Sequence, residues 1–139
     1  RLIAEYNPFL LDVEFNTIQK DKNLTKYLKK TKCKLLISWH DFKKTPNESQ
    51  LKSRFNKMKK FSDILKIVTV AKNVSDSSRL LSLYSIKSKN EIIAFCMGEQ
   101  GKFSRILCLH LGSPFTYVSL GRAIAPGQFS VDEIKSLQK

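Results

Sequence analysis

Cysteine, proline and glycine are scarce in this 139-residue chain, which holds three, four and five of them. The three cysteines, Cys33, Cys96 and Cys108, stand singly in apolar settings. No CxxC pair and no His/Cys pair at metal spacing occurs, so a disulfide framework or zinc module is not expected. They read as small buried hydrophobes, and unpaired thiols suit a reducing compartment, the cytoplasm being the expectation. No Gly-rich loop joins a strand to a helix at the spacing a dinucleotide fold needs. Gly98-Glu99-Gln100-Gly101-Lys102 lacks the spacing and the following Ser/Thr of a phosphate loop. No apolar run approaches the roughly 20 residues that span a bilayer, and no charged-then-apolar leader opens the chain, so neither membrane span nor signal peptide is expected. Acidic residues are also few: 12 Asp plus Glu face 25 Lys plus Arg, a net charge of +13. That balance raises the possibility of a nucleic-acid-binding module. The lysines, however, flank helical apolar stripes such as Leu51, Phe55 and Met58, and no RNP, zinc-finger or homeodomain pattern appears. They read as a solvated face whose field draws in anions, with no nucleic acid as partner.

What is present is alternation. Apolar content is 42%, enough for one domain with a true core. Strand-like runs cover Leu10 to Phe15, Lys34 to Trp39, Ile64 to Val70, Ile92 to Met97 and Thr116 to Leu120. Helical patterns lie between them, near residues 22–31, from a start at Thr45-Pro46-Asn47-Glu48, from Ser75-Asp76 through Leu83, and over 130–138. Thr45 is the expected cap there, with Pro46 in the first turn and Glu48 at the capping-box position. "GKFSRILCLHLG" is read as a helix with Phe103, Ile106, Leu107, His110 and Leu111 on its inner face and Gly112 at C′. Five strands, each followed by a helix, make an α/β fold with a parallel sheet. An open doubly wound sheet and part of a (β/α)8 barrel both fit that pattern.

In such folds ligands bind at the carboxyl ends of the strands. Glu14, His40 and Lys66 fall there on three consecutive strands, at equal spacing. A lysine among Ile64, Leu65, Ile67 and Val68 is rarely buried without reason. Desolvated near another cation, it can serve as a neutral amine that adds to a ketone. The resulting iminium makes a neighbouring carbon acidic, and a histidine can take the proton while a carboxylate fixes its tautomer. Arg105, at the start of its helix, is placed to hold an anionic group.

Six stretches, "DVE" (12–14), "SWHDFKKTP" (38–46), "SDILKIV" (62–68), "MGEQGKFSRI" (97–106), "GSPFTY" (112–117) and "APGQFS" (125–130), resemble type I 3-dehydroquinate dehydratase of the shikimate pathway. The resemblance implies a (β/α)8 TIM barrel that dehydrates 3-dehydroquinate to 3-dehydroshikimate with no metal or cofactor. It implies Lys66 as the Schiff-base lysine, His40 as general acid/base, Glu14 as the group orienting His40, and Arg105 on the substrate carboxylate. Gln128 would bind substrate hydroxyls, and Met97 and Tyr117 would form pocket walls. Ile124 stands where some members carry a substrate-binding serine. The family's early Glu-x-Arg motif and a further arginine, which precede the "DVE" strand, have no counterpart here. The five strands correspond to the family's fourth to eighth, so residues 1–139 are expected to be the C-terminal portion of one barrel, lacking three βα units and inactive by itself. A homodimer stays open. A class I Schiff-base aldolase shares the strand lysine but does not need the His-Asp-Phe and Ala-Pro-Gly-Gln set.

Overall fold

Residues rich in Ile, Leu and Val form four strands because branched side chains suit a pleated surface buried on both faces. A computed structural model of the chain describes residues 2–121 and 123–137. The strands are β1 (Leu10–Glu14), β2 (Lys34–Asp41), β3 (Ile64–Val70) and β4 (Glu91–Met97). They lie parallel in chain order, β1-β2-β3-β4. Sequential order is that of a singly wound sheet; a doubly wound one would reverse part-way. The helices are α1 (Leu2–Glu5), α2 (Phe15–Lys20), α3 (Lys22–Leu28), α4 (Glu48–Met58), α5 (Val74–Leu81), α6 (Ser104–His110) and α7 (Val131–Leu137).

The period of two divides each strand between two cores. Ile37, Trp39, Leu65, Ile67, Ala94 and Cys96 point outward, where Phe15, Leu51, Phe55, Met58 and Leu80 cover them. Leu36, Val68, Ile93, Phe95 and Met97 line the other face. Among the described residues no helix is long and apolar enough to cross a membrane.

Several expectations are corrected. The helix after β2 is capped by Asn47, which accepts from Gln50 N at 2.9 Å while Gln50 completes the capping box. Thr45 is unavailable as a cap because its hydroxyl is buried against Thr69 Oγ1 at 2.7 Å and Val70 O at 2.9 Å. Phe15 ends no strand; it opens α2 and is wholly buried. The helix 104–110 forms, but its inner face is Ser104, Arg105 and Cys108, while Leu107 and Leu111 are exposed. Ser104 turns that face inward by donating to Gly101 O at 2.6 Å and accepting from Cys96 N at 2.8 Å. Residue 138 of the expected last helix lies outside the described residues.

The fifth strand does not join the sheet. Residues 116–120 make one isolated bridge, Ser119 with Ser130, and Leu120 is 98% exposed. The outer edge of β4 is already occupied. Tyr84 Oη accepts from Ala94 N at 2.7 Å and donates to Ala94 O at 3.2 Å, while Ser104 takes Cys96 N. With those groups satisfied, a further strand gains little from pairing there.

Candidate active site

The register of the sheet decides which polar groups meet. Ser38 of β2 is level with Glu14 on one side and Lys66 on the other. His40 stands one pleat above that row, level with Val68 and Phe95. All point to the inner face by alternation. The equal spacing of Glu14, His40 and Lys66 along the chain therefore does not put them on one level.

Glu14 and His40 are joined directly. His40 Nδ1 is 2.8 Å from Glu14 Oε2, and Ser38 donates its hydroxyl to the same oxygen at 3.4 Å. An ionised carboxylate only accepts, so Nδ1 is the nitrogen that carries the proton in the neutral tautomer, which leaves the lone pair of that form on Nε2. Phe42 stacks on the imidazole with ring centroids 5.5 Å apart and an interplanar angle of 10°.

Lys66 is nearly enclosed, its side chain 11% exposed. Its Nζ donates to Asp12 Oδ2 at 3.0 Å and stands 4.4 Å from the centre of the Tyr117 ring. The sequence led to a lysine in an apolar run near another cation; the structure adds a carboxylate in direct contact. Asp12 lies two residues before Glu14, on the same face of β1, and only that alternation signalled it in the sequence. Ser38 and Phe42 were likewise not singled out.

Arg105 is buried, 2% exposed, with its guanidinium 4.4 Å from the centre of the Phe95 ring. Among the described residues no carboxylate pairs with it, and its Nε has no hydrogen-bond partner. Burial holds its affinity for a proton below that of a free arginine. A desolvated cation with an unused donor is a ready seat for an anion.

His40, Lys66, Arg105, Met97, Tyr117 and Gln128 all line one cavity of about 350 Å³. The loop that brings Gln128 is held in shape by its own amide: Oε1 accepts from Ile124 N at 2.9 Å and Ala125 N at 3.3 Å. Its side-chain nitrogen is left to donate. Gly98 N donates to Pro126 O at 3.1 Å and ties the loop to the end of β4. Ile124 lines the same cavity, yet is 90% exposed.

The cavity thus combines a strand lysine, a histidine held by a carboxylate, and an unpaired arginine. A family model of type I 3-dehydroquinase matches residues 1–139. The chain belongs to the type I 3-dehydroquinase family. Among curated relatives, it is 38% identical over 134 residues to a 3-dehydroquinate dehydratase of Dehalococcoides mccartyi, covering 94% of this chain and 60% of that protein. With the 3-dehydroquinate dehydratase of Pyrococcus abyssi it shares 37% over 136 residues, covering 97% and 61%. The chain spans about 60% of the length of these relatives. Of the solved structures, the type I enzyme of Clostridium difficile, crystallised with covalently modified comenic acid, matches with a TM-score of 0.83 at 29% identity, over 98% of this chain and 56% of that one. The 3-dehydroquinate dehydratase of Aquifex aeolicus matches with a TM-score of 0.77 at 32% identity, over 99% and 64%.

Proposed function

We propose that the protein carrying this chain dehydrates 3-dehydroquinate to 3-dehydroshikimate through an iminium on Lys66. The observation that carries the reading is the shared cavity: an enclosed lysine beside a base already oriented by Glu14 and an arginine lacking a partner. Lys66 adds to the substrate ketone, and loss of water gives the iminium. That electron sink acidifies the adjacent carbon, whose proton His40 Nε2 accepts. The imidazolium, stabilised by Glu14, then protonates the departing hydroxyl, which leaves as water. Hydrolysis of the iminium frees the enone product and Lys66. Arg105 holds the substrate carboxylate, the Gln128 amide donates to hydroxyls, and Met97 and Tyr117 wall the pocket.

The same reading takes β1 to β4 as the fourth to seventh strands of a (β/α)8 wall, with 116–120 at the place of the eighth. Residues 1–139 are then the C-terminal portion of one barrel domain. Three cysteines without disulfide partners fit a reducing compartment such as the cytoplasm.

The test is reductive trapping. Borohydride with 3-dehydroquinate should fix one ligand on the peptide carrying Ile64 to Val70, and Lys66→Arg should abolish it, since guanidinium is no amine nucleophile. The enone product, read by absorbance, separates dehydration from aldol cleavage. His40→Ala should slow turnover about 10²–10⁴-fold and still allow trapping. Active enzyme without label on that peptide would refute the mechanism.

A further inference from the structure

Two carboxylates on β1 divide between two partners. Glu14 is committed to His40 and Ser38. Asp12, two residues earlier, is committed to Lys66 at 3.0 Å. Lys66 is level with Glu14 across the sheet, yet its ammonium reaches back to Asp12, which is level with Leu36 and Ile64, one pleat below. His40 lies one pleat above the Lys66 row. The carboxylate thus approaches Nζ from beneath, and the side toward His40 and the mouth stays open for a ketone. Asp12 is 39% exposed, so it remains hydrated enough to exchange protons, while Lys66 at 11% is not.

An ammonium cannot add to a carbonyl, so something must take its proton on arrival of substrate. We propose that Asp12 is a catalytic carboxylate: it moves the protons of iminium formation and then stands as the counter-ion of the iminium. The proposal rests on the Schiff-base reading above. The atoms balance without a further reactant. Asp12 takes one proton from the Nζ ammonium, and the free amine's lone pair forms the C–N bond as the carbonyl π pair moves to oxygen. Asp12 returns that proton to the oxygen. A second proton, released from the nitrogen after addition, follows the same route. The C–O bond breaks, water departs with both protons, and nitrogen keeps one hydrogen and the positive charge. That charge sits where Asp12 and the Tyr117 ring already held the ammonium. Glu14 and His40 are left free for the proton at carbon.

The charged and titratable groups facing this nitrogen from the packed elements are Asp12 and Glu14 on β1, His40 on β2, Arg105 on α6 and Tyr117 beyond it. Of these, Asp12 alone adds a negative charge in contact with it. The experiment measures the rate of iminium formation by rapid mixing with 3-dehydroquinate, borohydride quench and mass spectrometry, as a function of pH, in the protein carrying this chain. Asp12→Asn should slow formation about 10²-fold. Asp12→Glu, which keeps a carboxylate, should restore the rate to within about tenfold of the parent. A merely structural role would lower the labelled fraction and leave the rate constant of the labelled population in place, and that result overturns the proposal. So does an Asp12→Asn rate within about threefold of the parent. Asp12→Ser gives the same comparison where Asp12→Asn does not fold. Absence of label in the parent protein would instead overturn the Schiff-base reading.

Discussion

Gly127→Ala is a one-carbon change at the loop that carries Gln128. Gly127 has φ +71, the left-handed region, which costs a residue with a Cβ about 1–2 kcal/mol. The added Cβ would also overlap the Gly98 carbonyl oxygen and come within 3.0 Å of its carbon, and these are backbone atoms that cannot swing aside. The loop must lift, and the Gly98 N to Pro126 O bond, worth about 0.5–1.5 kcal/mol, goes with it. Together these disfavour the docked loop by roughly 2–3 kcal/mol, a factor of about 30–150 in the ratio of docked to lifted loop. If Gln128 binds substrate only when docked, KM for 3-dehydroquinate rises by up to that factor, because apparent affinity scales with the docked fraction. At saturation substrate pulls the loop back and kcat changes little. Thermal unfolding should move little, since residues 123–126 are mostly exposed and contribute little to either core. Steady-state kinetics beside a melting curve makes the check. A KM within about twofold of the parent would refute both the packing argument and the role given to Gln128.

Further predictions concern the same site and its support. Glu14→Gln keeps the shape but removes the charge that orients His40, so turnover should fall about 10²–10⁴-fold with trapping at Lys66 retained; a loss under threefold would free Glu14 from its role. Arg105→Met should weaken binding of the carboxylate substrate and at the same time raise the unfolding temperature, by about 1 kcal/mol of stability, because a buried cation without a partner is replaced by an apolar chain; a lower melting temperature would contradict this. Tyr84 is pushed up to about 12 by burial, from 10.0. The unfolded chain thus loses this proton first, so its share of stability is whole below pH 10.0 and is lost as pH rises through about 12, amounting to roughly 3 kcal/mol at the alkaline limit. Tyr84→Phe should flatten that alkaline fall, while costing about 1–3 kcal/mol at neutral pH by orphaning Ala94 N–H; equal alkaline slopes in denaturant titrations would refute the assignment.

All four strands of the sheet were legible; Leu10 to Glu14 read as a strand, and Lys34 to Trp39, Ile64 to Val70 and Ile92 to Met97 are apolar runs that each bury both faces. His40 and Lys66 stood out as polar intrusions on those runs. Register was not legible. Nothing local tells whether Lys66 meets Glu14 or reaches below it to Asp12; the pairing of Ser38 with both strands sets that. Thr45 looked like a cap because capping is a local rule, yet Thr69, brought near by β3, offered its hydroxyl a buried partner. The face of α6 was misjudged for a related reason. Leucines at helical spacing suggested the inner stripe, but Ser104 and Arg105 had specific work against β4 and the cavity, and turned the leucines out. The segment 116–120 carries strand-like residues, and what it lacks is a vacant edge to join.

That occupied edge has a bearing on what can lie beside β4. The hydroxyls of Tyr84 and Ser104 fill the hydrogen-bonding positions of Ala94 and Cys96. Any backbone approaching this rim, from the same molecule or another, has to displace two side chains before it gains a ladder bond there. The hydroxyls thus act as a stopper, and the stretch of rim they close offers no template for a strand to extend.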